Sequence, residues 1–198
     1  MNTEKGFEMQ LPEGPFEAYL FDCDGTIADS MPLHFRAWQG ALASWNCNFS
    51  EELFYAWAGR STAEIVKLLN QKYALTMDPE KVDLEREALY LASLPKIQAV
   101  PAVLAHIEAG FGKLPMAVVS GSRRASVTKT LEFLKLLDRF QTLVGAEDYR
   151  HGKPHPEPFL VAAERLKVRP ERCLVFEDAD LGLESAKAAG MKWVRVPQ

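Results

Sequence analysis

Five short apolar runs set the terms for this chain: Ala18-Tyr19-Leu20-Phe21, Met116-Ala117-Val118-Val119, 142–145, Cys173-Leu174-Val175-Phe176 and 193–196. Helical stretches separate them. Strands that alternate with helices pair in parallel, because a parallel connection needs a crossover long enough to hold a helix. In the second half the spacing predicts helices over 101–109, stopped by Gly110, then 123–137, 157–167 and 181–189, the last stopped by Gly190. The helix over 123–137 carries Val127, Leu131 and Leu134 on one face.

Between the first run and the second the rhythm differs. From residue 30 to about 94 the pattern is helical throughout. Phe35, Trp38, Leu42 and Trp45 recur at helical spacing, as do Ile65, Leu68 and Leu69. Ser50 ahead of Glu51-Glu52 and Thr62 ahead of Ala63-Glu64 read as helix N-caps, and Asp78-Pro79 opens a further helix with Pro at its first position. Four helices are expected here. The fold class is therefore α/β, a Rossmann-like parallel five-stranded sheet core with an inserted all-helical cap. Residues 1–28 and 96–198 form the core, and 29–95 the cap.

Composition narrows the function. With 47% hydrophobic and 25% charged residues, a chain of 198 residues can bury a full core and is not disordered. A net charge of −4 without a basic block argues against a nucleic-acid partner. Cys23, Cys47 and Cys173 lack metal-ligand spacing; Cys23 and Cys173 read as buried free thiols, with a catalytic Cys23 as the lesser alternative. Met1 to Glu17 show no signal-peptide core, and no apolar run is long enough for a membrane span. A cytoplasmic protein, monomer or weak dimer, is the expectation.

Chemistry collects where the runs end. Asp22-Cys23-Asp24-Gly25-Thr26 follows the first, Ser120-Gly121-Ser122 the second, and Glu177-Asp178 the fourth, while Gly152-Lys153-Pro154 lies in the loop after the third. Parallel strands would bring all four to one sheet edge, where such folds bind ligands. Asp22 and Asp178, with the backbone carbonyl of Asp24, offer hard oxygens to Mg²⁺, and Glu177 suits an outer position around it. Ser120, Gly121 and the N–H groups behind them suit an anion, and Lys153 adds a positive charge for phosphate. Ser122 and Asp180 have simpler readings as caps of the helices that follow them.

Together these residues resemble the four motifs of the haloacid dehalogenase-like hydrolase superfamily. The insert resembles the helical cap of the β-phosphoglucomutase-like branch, to which His34-Phe35-Arg36-Ala37-Trp38 is similar. The stretch from Val175 to Asp180 looks closer to small bacterial sugar phosphatases, including those acting on fructose 1-phosphate. The resemblance implies a Mg²⁺-dependent phosphatase of small phosphorylated sugars, in which Asp22 attacks phosphorus and Asp24 moves protons. The alternative is a hexose phosphomutase of the β-phosphoglucomutase type. A phosphate-binding regulator on a dead hydrolase core is a third reading, opposed by the presence of both aspartates.

In the cap, His34 is expected to steer Asp24 or touch the sugar, and Arg60 in Gly59-Arg60-Ser61-Thr62 to read the substrate. Trp38 is expected to pack in the core. Arg86 reads as part of a solvated helix face, and Arg124 faces the site or serves its own helix.

Overall fold

The computed structural model describes residues 9–197, so the leader reading of Met1–Glu17 lies in part outside the described residues. Strands β1 (Ala18–Phe21), β2 (Met116–Val119), β3 (Thr142–Val144), β4 (Cys173–Glu177) and β5 (Lys192–Arg195) form one parallel sheet in the order β3-β2-β1-β4-β5. Strand β1 is central, with Phe21 in register with Val118 on one side and Phe176 on the other. Helices cover both faces, which is why β2 and β4 read as unbroken apolar runs rather than alternating ones.

Four helices flank the sheet: α5 (Pro101–Gly110) and α6 (Arg124–Leu134) on one face, α7 (Glu157–Leu166) and α8 (Asp180–Ala188) on the other. On the first face Ile107 and Leu131 meet Phe21, Val118 and Phe176, and the rings of Phe21 and Phe176 stack 4.4 Å apart. On the other face Phe159, Ala162 and Ala186 meet Leu20, Val119 and Val175. Helix α6 is shorter than its periodicity suggests. Lys135 takes a left-handed φ of 59° and ends it, and a 3₁₀ turn over Leu137–Arg139 carries the rest.

The segment between β1 and α5 is helical: α1 (Met31–Ala41), α2 (Glu51–Ala56), α3 (Thr62–Tyr73) and α4 (Pro79–Ser93). It has its own apolar cluster around Trp38, Phe49, Phe54, Val66 and Leu69. A smaller cluster of Leu33, Ala37, Tyr90 and Leu94 joins α1 to α4. Ser50 caps α2 through Leu53 N–H at 3.2 Å, and Asp78 caps α4 through Glu80 N–H at 3.0 Å. The cap of α3 is Ser61, which accepts from Glu64 N–H at 3.3 Å, whereas Thr62 is the first helical residue. Serine wins because it holds the extended backbone that a cap requires.

The segment leaves and returns at one place. Ala28 bridges Ala99 in antiparallel fashion, Asp29 N–H donates to Gln98 O at 2.9 Å, and Val100 N–H donates to Ile27 O at 2.9 Å.

Candidate active site

The carboxyl ends of β1, β2 and β4 lie side by side, so Asp22, Ser120 and Glu177 arrive at one edge of the sheet. The Asp22 N–H donates to Phe176 O at 2.9 Å, continuing the pairing of β1 with β4 by one residue and fixing where its side chain starts. Lys153 reaches in from the loop after β3. Its Nζ, buried, donates to Asp22 Oδ1 at 2.6 Å, to Glu177 Oε2 at 2.7 Å and to Val119 O at 3.3 Å, using all three of its donors. Glu177 Oε1 accepts from Ala179 N–H at 3.1 Å, and Asp178 Oδ1 accepts from Thr26 Oγ1 at 2.8 Å.

Asp22, Glu177 and Asp178 bring three carboxylate oxygens within 4.8 Å of one another. Lys153 is the cation among them. Burial pushes the Asp22 carboxyl up, the charge of Glu177 adds to that, and Lys153 opposes both. Burial and then Asp22 push Asp178 up as well, against the Thr26 hydrogen bond. Lys153 itself loses by burial but is held more firmly charged by Asp22 and Glu177. A buried surplus of negative charge on hard oxygen donors suits a small divalent cation.

Asp24, two residues from Asp22, has the opposite surroundings. Its Oδ1 accepts from Ser30 Oγ at 2.9 Å and pairs with His34 Nε2 at 2.8 Å. Its Oδ2 accepts from Ser122 Oγ at 2.9 Å and Ser120 Oγ at 3.2 Å. Burial pushes this carboxyl up, but His34, Ser30 and Ser122 outweigh it and hold it well below the usual range. One aspartate is thus short of donors and its neighbour is saturated with them. Cys23 between them is buried, and burial first, then the two carboxylates, push its thiol up, so it is no nucleophile.

A chamber lies over these groups, lined by Asp22, Asp24, Ser120 and Asp178 from the sheet and by His34, Arg60 and Arg86 from the helical segment. Gly121 sits where the two walls meet, and a Cβ there would be in ordinary contact, 3.4 Å from Gly59 O and 3.6 Å from Arg60 O. Behind the site Gly182 is required, since a Cβ on it would fall 2.0 Å from Glu177 Cδ.

Three sequence readings of this site need correction. Ser122 is not a cap; Arg123 holds the cap position of α6, and the Ser122 hydroxyl goes to Asp24. Arg86 is not solvated but 4% exposed, donating to Asp83 and lying 3.3 Å from His34 Nδ1. Asp180 is the first residue of α8, paired with Arg195, and Ala179 holds the cap position. Arg124, read as either facing the site or serving its own helix, lies on the surface with Asp148, outside the chamber. Trp38 packs in the apolar cluster as expected and also borders the chamber. Thr26, Ser30 and Asp83 were not singled out in the sequence, and only the position of Thr26 inside the first motif hinted at them.

Residues 19–196 match the model of a family described as haloacid dehalogenase-like hydrolase. The chain is 35% identical over 182 residues to the fructose-1-phosphate phosphatase YqaB of Escherichia coli, covering 91% of this chain and 96% of that one. It is 32% identical over 183 residues to a phosphorylated carbohydrates phosphatase of Thermotoga maritima, covering 89% and 82%. Among solved structures, a β-phosphoglucomutase from Clostridium difficile superposes with a TM-score of 0.84 at 24% identity, over 92% of this chain and 85% of that one.

Proposed function

Because this chain belongs to the haloacid dehalogenase-like hydrolase family, we propose that it is a phosphatase of small phosphorylated sugars working through a phosphoryl group carried on Asp22. The contrast between Asp22 and Asp24 carries this reading. Two aspartates on one turn, one poor in donors and one ringed by four, divide the work of nucleophile and proton carrier.

Lys153 holds Oδ1 of Asp22, which leaves the second oxygen to attack phosphorus in line. As the new P–O bond forms, the bond to the sugar oxygen breaks, and Asp24 delivers a proton to that oxygen. In the second half Asp24 takes a proton from water, the water oxygen attacks phosphorus, and phosphate leaves with Asp22 restored. The donors around Asp24 stabilise its ionised form, the one required for this second half. The donor set fits Mg²⁺: Asp22, Asp178 and the Asp24 backbone carbonyl would hold it, Glu177 lies behind them, and its charge would offset that of the transferring group. Residues 29–95 act as the cap, closing over the chamber and carrying His34 and Arg60 to the sugar side. Free cysteines suit a cytoplasmic setting, with the protein acting as a monomer or weak dimer.

Hydrolysis is told from phosphate relocation by following fructose 1-phosphate and glucose 1-phosphate with phosphorus NMR in the presence of Mg²⁺. Steady release of inorganic phosphate, unaffected by added hexose bisphosphate, is expected. Bisphosphate-dependent appearance of glucose 6-phosphate would make the protein a mutase instead.

A further inference from the structure

Beside the chamber lies a second cavity of about 400 Å³, which shares Thr62, Arg86, Gly121 and Ser122 with it. It runs between α4 and the start of α6, and through the four shared residues it adjoins the chamber over Asp22. Two guanidiniums, Arg86 and Arg123, line this space. A pair of arginines at the far end of a sugar site would ordinarily bind a second phosphoryl group.

Here the pair is already taken. Asp83 Oδ1 accepts from Arg86 Nη2 at 2.9 Å, and Asp83 Oδ2 accepts from Arg123 Nε at 2.6 Å. Asp83 and Arg86 are both buried, so solvent screens that half of the bridge little, while the Arg123 side chain is 52% exposed and its half is screened more. Glu80 and Glu147 also line the cavity, setting three carboxylates against two guanidiniums. Arg86 Nε is buried without an acceptor, so one N–H of this guanidinium is not used by Asp83.

We propose that Asp83 is a specificity-determining residue: by occupying both Arg86 and Arg123 it makes the far end of the site a subsite for the hydroxyl groups of a sugar monophosphate and turns away a second phosphoryl group. This rests on the sugar phosphatase reading above. A purely structural tie between α4 and α6 would affect all substrates alike. A charge filter alters the ratio between them.

The test compares kcat/KM for fructose 1-phosphate and fructose 1,6-bisphosphate. The unaltered protein should favour the monophosphate by at least about tenfold, and Asp83→Asn should shrink that preference by at least about tenfold, chiefly through a lower KM for the bisphosphate. Arg123→Gln, which leaves Asp83 with one fewer cation, should widen the preference and serves if Asp83→Asn does not fold. Equal use of both sugars by the unaltered protein, or a ratio unmoved by either substitution, would overturn the proposal. Calorimetry of fructose 1,6-bisphosphate binding to Asp22→Asn protein, with and without Asp83→Asn, keeps the two readings apart. Tighter binding on loss of Asp83 supports the filter even if no monophosphate is hydrolysed, a result that would count against the phosphatase reading alone.

Discussion

Arg86 Nη1 meets His34 Nδ1 at 3.3 Å, and this contact decides where the imidazole carries its hydrogen. A guanidinium can only donate, so Nδ1 accepts and Nε2 bears the N–H that points at Asp24. The hydroxyls of Ser30, Ser120 and Ser122 can rotate to accept a proton from Asp24, but this imidazole cannot. A protonated Asp24 would therefore carry its hydrogen on Oδ2, facing the rotatable hydroxyls of Ser120 and Ser122, while Oδ1 goes on accepting the His34 N–H.

Replacing His34 by Ala should let the Asp24 carboxyl rise from its depressed value. The half-reaction that needs Asp24 ionised would then fail at a higher pH, so the acidic limb of kcat should move up by about one pH unit. A pH series on p-nitrophenyl phosphate at saturating Mg²⁺ measures it. An unmoved limb would mean that His34 does not govern Asp24.

Asp22→Asn should lower phosphatase activity by at least about a thousandfold, because the attacking oxygen is gone. The same change should leave the melting temperature within about 3 °C of the parent, or above it, since it removes one of three crowded, buried negative charges. Calorimetric melts beside steady-state assays compare the two. A large loss of stability would assign Asp22 a structural task as well.

Metal-free protein should lose stability as pH rises. Asp22 and Asp178 have folded values raised above the unfolded carboxyl, Asp178 to about 7, so the folded chain binds protons that the unfolded chain releases. Their penalty is small near pH 4, grows as pH rises, and is complete only above about pH 8, the value to which Asp22 is raised. Millimolar Mg²⁺, preferring the ionised carboxylates, should raise the melting temperature by about 5 °C at pH 8 and by much less at pH 5. Thermal melts over that range, with EDTA or Mg²⁺, test the slope; a metal-free curve that rises with pH would contradict it.

Gly182→Ala should damage the site from behind. The added methyl would overlap Glu177, whose Oε2 holds Lys153, so Glu177 and Lys153 must both shift. Overpacking of this kind costs about 1–3 kcal/mol, and activity should fall by at least about tenfold as Lys153 leaves Asp22. Melting and kinetics of the purified variant check both effects. Full activity would show that α8 can give way.

The sheet was legible because each strand is a short apolar run, and the four motifs because each follows one. Residues whose role depends on tertiary packing were harder to read. Arg86 lies four residues from both Val82 and Tyr90, and all three are buried against neighbouring elements. That stripe was visible in the sequence, but a charged residue within it reads as solvent-facing until its partners are known. Asp83 and Arg123 are far apart in the chain, and their pairing depends on how α4 settles against α6. Ser122 was misread because a serine before a helix is a good cap, and only the turn from Ser120 to Arg123 sends its hydroxyl to Asp24.

The bonded crossing at Ala28 and Ala99 has a consequence for how such a chain can diversify. The polypeptide departs and comes back through adjacent, hydrogen-bonded residues, and no residue between them takes part in the strand pairing of the sheet. An intervening stretch of any length whose ends meet at that bridge can be accommodated, and loop closure grows costlier only slowly with length. Substitution, enlargement or wholesale exchange of residues 29–98 can thus remodel which molecules are admitted, while Asp22 and its companions keep their places. The ancestry of the catalytic edge and that of the helices above it need not be the same.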